Sequence, residues 1–164
     1  MATPTTLPST FVAGNVLTAA EMNALRGAFR ILQVVRATDT TNRTTTSSSF
    51  VDANISVTIT PTATTSNIML LWSAHVDAQA GTQANGSFAI TDASNNLIDG
   101  SGNVSTGIAS AVRSLFRSNV VCFDSPATTS ATTYKARFQA NAGATIVLNN
   151  ATVTGQLFAL EISA

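Results

Sequence analysis

Charged side chains are scarce in this chain. Asp, Glu, Lys and Arg make up 10% of its 164 residues, against about 25% in ordinary soluble domains. Formal net charge is zero, so there is no bulk electrostatic pull toward nucleic acid or an anionic membrane. Neither is expected as a partner. The single cysteine, Cys122, excludes an intrachain disulfide. It sits in the apolar run Val120-Val121-Cys122-Phe123 and reads as a small buried hydrophobe. A catalytic thiol would need a placed base, and the only histidine is His75. No apolar run approaches the roughly 18 residues of a membrane span. The start Met1-Ala2-Thr3-Pro4 lacks the basic region and apolar core of a signal peptide. Synthesis in a cytoplasm is therefore expected. The Asn-x-Ser/Thr triplets at Asn42, Asn54, Asn85, Asn103 and Asn150 are then chance products of an Asn/Ser/Thr-rich chain. Walker loops, Gly-rich dinucleotide motifs and nucleophile elbows are also missing.

Hydrophobic residues, at 45%, are enough for a real core. The remaining surface must be Thr, Ser, Asn, Gln and Ala, which repels little and tolerates close apposition to other subunits. Residues 2–16 are Thr- and Pro-rich and aperiodic, so they read as an extended arm whose main apolar contacts are Phe11 and Val12. The only clear helix signal follows. Thr18 and Glu21 have capping-box spacing, and Leu17 and Met22 fit a hydrophobic staple. Met22, Leu25 and Phe29 form one apolar stripe. A helix of roughly a dozen residues is marginal alone in water, so this one must dock on something.

After residue 30 the pattern is β. Ile31 to Val35 are a strand candidate, and residues 38–49 a polar stretch. Val51, Ala53, Ile55, Val57 and Ile59 alternate up to Pro61. Ile68, Leu70, Trp72, Ala74 and Val76 alternate as well, while Met69 and Leu71 make the other face of that strand apolar, which predicts burial on both sides. Phe88 and Ile90 mark another strand, closed by the turn-rich residues 92–96, with Leu97-Ile98 as hairpin partner. Gly100, Gly102 and Gly107 read as a loop. A long strand over 111–123 follows, then Tyr134, Ala136, Phe138 and Ala140 on a strand with one wet face, then Ile146 and Leu148. Phe158, Leu160 and Ile162 close the chain. About eight short strands separated by turns predict an antiparallel sandwich of jelly-roll type.

Chemistry-bearing residues are few. His75 and Asp77 could ligate a metal from one strand face, but no third ligand stands at readable spacing. Trp72 shares parity with Leu70 and Val76, which favours the core over a sugar-stacking role. A glycosidase needs two carboxyls about 5–10 Å apart, and the acids here fall mostly at expected turns or strand edges. Asp52, Asp92, Asp99 and Asp124 read as turn-formers. Arg26, Arg30, Arg36 and Arg43 make the first 50 residues mildly basic, against Glu21 and Asp39. They would form a solvated face or pair with carboxylates of a neighbouring subunit or shell.

The stretch Asp124-Ser125-Pro126-Ala127-Thr128-Thr129-Ser130-Ala131-Thr132-Thr133-Tyr134-Lys135 resembles a segment of bacteriophage tail-fibre and other virion proteins. Three further stretches are similar to the same group. One is Val51-Asp52-Ala53 with Thr58-Ile59-Thr60-Pro61 and Ser66-Asn67-Ile68-Met69-Leu70; another is the ending Leu157-Phe158-Ala159-Leu160-Glu161-Ile162. The third, from Thr10-Phe11-Val12 through Glu21-Met22-Asn23, is similar to particle-proximal segments of phage structural proteins. Together these cover most of the chain. The resemblance implies a virion component, commonly a homotrimer, and carries over no catalytic residue. The chain is shorter than a full tail fibre and has no long shaft, which favours a small accessory.

The expectation is a mainly β protein: an antiparallel, jelly-roll-like sandwich over 36–164, preceded over 1–35 by an extended arm and one short α-helix. The anchor and oligomer contact would be Phe11, Val12, Leu17, Met22, Leu25 and Phe29. No catalytic residue, metal or cofactor is expected. The partners would be two further copies of the chain and other phage virion proteins, capsid or tail. The role would be decoration (cement) of the capsid. In the alternative, the chain is a short tail fibre or receptor-binding tip whose loops at 80–87 or 100–110 touch host glycan. Those loops carry no aromatic residue.

Overall fold

The computed structural model describes residues 18–19, 31–79, 84–102, 104–108, 113–141 and 143–163. The expected arm lies outside the described residues, as does the expected helix apart from Thr18 and Ala19. The regular structure of the remaining described residues is all β.

Ten strands are formed among the described residues. They are β1 (Ile31–Asp39), β2 (Arg43–Thr45), β3 (Val51–Ile59), β4 (Asn67–Gln79), β5 (Ala84–Asp92), β6 (Val104–Ile108), β7 (Ser114–Asp124), β8 (Thr132–Asn141), β9 (Thr145–Leu148) and β10 (Gly155–Ile162). All pairings are antiparallel. One sheet is organised on β4, the longest strand. β7 lies along one edge of β4, from Ile68 opposite Asp124 to Ala78 opposite Ser114. The other edge is shared, with β10 on the first half and β9 on the second. β1 extends the sheet beyond β10, and β2 extends it beyond β9. The second sheet has the order β3-β8-β5-β6. The sheets pack face to face as a sandwich. β1 runs unbroken from Ile31 to Asp39 and belongs to the sheet.

Alternation explains the core. The even-numbered positions of β4 from Ile68 to Ala78 point inward and are buried. Ala53, Ile55, Val57 and Ile59 of β3 face them, with Tyr134, Ala136, Phe138 and Ala140 of β8. Trp72 packs on Phe88 with ring centroids 5.8 Å apart, and Phe88 meets Phe116 edge-on at 6.4 Å. Trp72 is thus a core residue, as its parity predicts. Gly86 of β5 is fixed by packing: a Cβ there would stand 2.8 Å from Cδ1 of buried Ile146.

Polar side chains shape the turns and one edge. Asp52 accepts from the Asn54 backbone N–H at 2.7 Å, and Asn54 takes φ 55°. This local loop accompanies the register shift between Asp52 and Ser56, a bulge that breaks the β3 edge. Asp92 accepts from the Asn96 N–H at 2.8 Å and closes the 92–96 turn. Asp124 does not form a turn. It ends β7 and accepts the Tyr134 hydroxyl at 2.6 Å. Residues 84–87 and 104–108 belong to β5 and β6, which pair from Ala84 opposite Ile108 to Phe88 opposite Val104. The described residues of the expected binding loops at 80–87 and 100–110 are therefore mostly a hairpin ladder. Their Gly, Ser and Asn content disguised the strands.

Candidate functional site

The expected contact residues Phe11, Val12, Leu17, Met22, Leu25 and Phe29 lie outside the described residues. What the structure brings together is a second apolar surface, on the side of the β4 sheet that faces away from the core. Antiparallel register sets it in rows. Val34 of β1 is opposite Leu160 of β10, Leu160 opposite Met69 of β4, and Met69 opposite Phe123 of β7. The next row outward on the same face is Arg36, Phe158, Leu71 and Val121. The row after that is polar: Thr38, Gln156, Ser73 and Asn119. Val34 is 55% exposed, Phe123 54% and Val121 46%. Met69, Leu71, Phe158 and Leu160 are half-buried.

Scattered exposed apolar side chains need no explanation, but a contiguous patch does. These rows span four strands, roughly 14 Å at the usual strand spacing. Their exposed part is on the order of 500 Å² of apolar surface, at the upper end of the range for the largest patch on a monomer. Sequence reasoning saw part of it in the doubly apolar face of β4. Phe158, Leu160 and Ile162 were the clue that went unread. They point outward, while Leu157, Ala159 and Glu161 take the core side of β10.

Positive charge borders the patch. The Arg36 guanidinium carbon lies 5.6 Å from the Phe158 ring centroid. Arg117, exposed on β7, donates to the Ser73 hydroxyl at 3.1 Å. Arg43, by contrast, is used within the chain, pairing with Asp39 at 2.9 Å. Arg26 and Arg30 lie outside the described residues.

The chemistry-bearing groups are spent on structure. Asp77 is buried, and its oxygens accept from Arg113 Nε at 2.8 and 2.9 Å and from Gln79 Nε2 at 2.8 Å. The Arg113 hydrogen bond holds its pKa below the usual carboxylate value against the opposing effect of burial. Asp77 is therefore an ion-pair member with its lone pairs occupied, a poor metal ligand beside His75. Among the described residues, no three His, Cys, Asp or Glu side chains gather as a metal site. Burial would raise the pKa of Asp39, but bonds from Arg43, the Thr41 N–H and Asn150 lower it instead. Cys122 is buried, and desolvation with the nearby Asp124 charge pushes its thiol up to about 12, too high for a nucleophile at neutral pH.

Glu161 is a site that turn-and-edge reasoning missed. It is fully buried at the end of β10. It accepts from Gln33 Nε2 at 2.6 Å and from the Thr62 N–H and hydroxyl at 2.7 Å each. Burial alone would raise its pKa. Donors from Ser66, Thr62 and Gln33 outweigh that and bring it down to about 2. The carboxylate ties the segment after β3 to β10 and β1. No helix among the described residues is long and apolar enough to cross a membrane.

No protein-family model matches the chain, and no curated protein matches it. Among solved structures, a chain from the structure of infectious bursal disease virus Gx strain matches at 16% identity with a TM-score of 0.32, covering 82% of this chain and 39% of that one. A chain from the infectious bursal disease virus VP2 subviral particle matches at 14% identity with a TM-score of 0.33, covering 80% and 37%. The chain thus spans about two fifths of the length of these neighbours. At such TM-scores, nothing of those proteins' assembly is carried over to this one.

Proposed function

We propose that this chain is a non-enzymatic structural protein of a phage virion, a small trimeric accessory displayed on the particle, with decoration of the capsid shell as its role. The observation that carries the reading is the apolar outer face on a chain with so little charge. Such a face is costly to leave in water and useful only when something covers it. The order of the virion-like stretches along the sequence supports the same reading. So does the fate of the acids: Asp39, Asp77, Asp92, Asp124 and Glu161 are each engaged by donors of their own chain. We read the sandwich as a jelly roll. In the order β1-β10-β4-β7 against β3-β8-β5-β6, the chain passes between the sheets from β3 to β4, β4 to β5, β6 to β7 and β7 to β8, as in two interleaved Greek keys. Attachment is adhesive: three copies held together turn three weak contacts into one strong one.

The second reading, a short tail fibre or receptor-binding tip touching host glycan, lacks an aromatic platform at 80–87 and 100–110. Gel densitometry of purified particles of the phage that encodes the chain separates the two. Copies on the scale of the shell's capsomers support decoration, and the few copies of a tail support the tip. Absence from washed particles overturns both.

A further inference from the structure

The edge strand β1 is held differently from the edge strands β3 and β7. β3 buries Ala53, Ile55, Val57 and Ile59, and β7 buries Val120 and Cys122. Of the nine residues of β1, only Asp39 is buried. Val35 and Ala37 pack against the core but are half-buried, while Ile31 and Val34 are each 55% exposed. Hydrophobic burial therefore holds this strand weakly. Besides the ladder to β10, a cluster of hydrogen bonds fastens each end, and each cluster centres on a buried carboxylate.

At the first end, Gln33 of β1 donates through Nε2 to Glu161 Oε2 and to the Thr60 carbonyl, both at 2.6 Å. Glu161 Oε1 takes the Thr62 N–H and hydroxyl. The strand is thus tied to β10 and to the segment after β3. At the other end, Asp39 accepts from Arg43 Nε at 2.9 Å, from Asn150 Nδ2 at 3.0 Å and from the Thr41 N–H at 3.0 Å. Gly155, opposite Asp39 on β10, makes room for this cluster. A Cβ there would stand 2.6 Å from Asn150 Oδ1.

We propose that β1 is a strap that opens as a unit while the rest of the sandwich stays folded, and that Glu161 and Asp39 are the two clasps that close it. Local opening belongs to elements with few buried apolar contacts. β10 does not need β1 to stay in place. Its other edge is paired with β4 from Gln156 to Ile162, and Leu157 and Ala159 are buried in the core. When β1 lifts, the N–H and C=O groups along that side of β10 are bare and can take an added strand. The closed strap guards this edge. It is also the strand through which residues 1–30 join the body. The strap is independent of the oligomer proposed above.

Native-state hydrogen exchange of the full chain at pH 7, followed amide by amide by NMR over a series of low urea concentrations, tests the strap. The β1 amides bonded to β10 should be about tenfold or more less protected than those of β4 and β8, with a shallower urea dependence. Glu161→Gln and Asp39→Asn each weaken a clasp made only in the closed form. Each should speed β1 exchange by about tenfold or more. The β4 amides should speed up by the same factor, because the closed form is the reference for both openings. β1 amides that exchange only together with β4, with the same steep urea dependence, overturn the strap. β1 exchange left unchanged by both variants while β4 speeds up means that the clasps stay shut when β1 opens, and it overturns their role. Should either carboxylate variant fail to fold, Gln33→Ala and Arg43→Ala weaken the same clasps from the donor side and are read in the same way.

Discussion

Replacing Glu161 with Gln should cost stability at neutral pH and nearly nothing at pH 2. The carboxylate is fully buried, accepts three hydrogen bonds of 2.6–2.7 Å, and has its pKa lowered from 4.5 to about 2. A folded-state pKa below the unfolded one adds stability that is complete above about pH 4.5 and is lost as pH falls toward 2. A difference of about 2.5 units at 1.36 kcal/mol each is about 3 kcal/mol. Gln keeps the shape and one acceptor, but its NH2 group faces donors from Thr62 or Gln33. The expected loss at pH 7 is therefore about 2–3 kcal/mol, or roughly 5–10 °C in thermal midpoint for a chain of this size. Asp39 and Asp77 also have lowered pKa values, so acid weakens the wild type through several groups. The difference between wild type and Glu161→Gln isolates one of them. Urea unfolding followed by Trp72 fluorescence at a series of pH values from 7 to 2 measures it. A Glu161→Gln variant as stable as wild type at pH 7, or a deficit that stays constant down to pH 2, refutes the argument.

Arg113→Ala should lower stability at pH 7 and raise the pKa of Asp77 as read by carboxyl NMR. It leaves a buried carboxylate with Gln79 and Asn149 as its remaining side-chain donors, while Arg113 itself is exposed enough to keep the loss well below that of a fully buried pair. Gly86→Ala should cost about 1–3 kcal/mol in denaturant unfolding, because its Cβ would sit 2.8 and 2.9 Å from two carbons of fully buried Ile146. Cys122 should resist Ellman's reagent at pH 8 in the native protein and react fully in urea, given its burial and a thiol pKa near 12. Fast reaction in the native state would mean that the β7 face opens.

Where one strand face was dry and the other wet, the fold was legible in the sequence. The alternations Val51–Ile59 and from Tyr134 to Ala140 named β3 and β8 with their inward residues correct. The Ile68, Leu70, Trp72 series named the core side of β4. Legibility failed where polarity and burial part company. β2 was hidden in the polar stretch at 38–49, because its three residues Arg43, Thr44 and Thr45 carry no apolar signal. The Asn85, Gly86 and Ser87 part of β5 looked like a loop, though Gly86 is glycine because Ile146 fills the space above it. Glu161 reads as a surface acid until Thr62, 99 residues away, is seen to donate to it. The interaction surface was half legible. Met69 and Leu71 announced a second apolar face on β4, but only register shows that Val34, Leu160 and Phe123 complete its row. The expected anchor residues from Phe11 to Phe29 lie outside the described residues.

A crystal structure of the full chain in the oligomer it forms in solution tests the central claim most directly. The account predicts three chains of 16.9 kDa around one axis, with the rows from Val34 to Phe123 and from Phe158 to Val121 covered. Copies that meet elsewhere while those rows face solvent, or a lone chain with the rows bare, would contradict it.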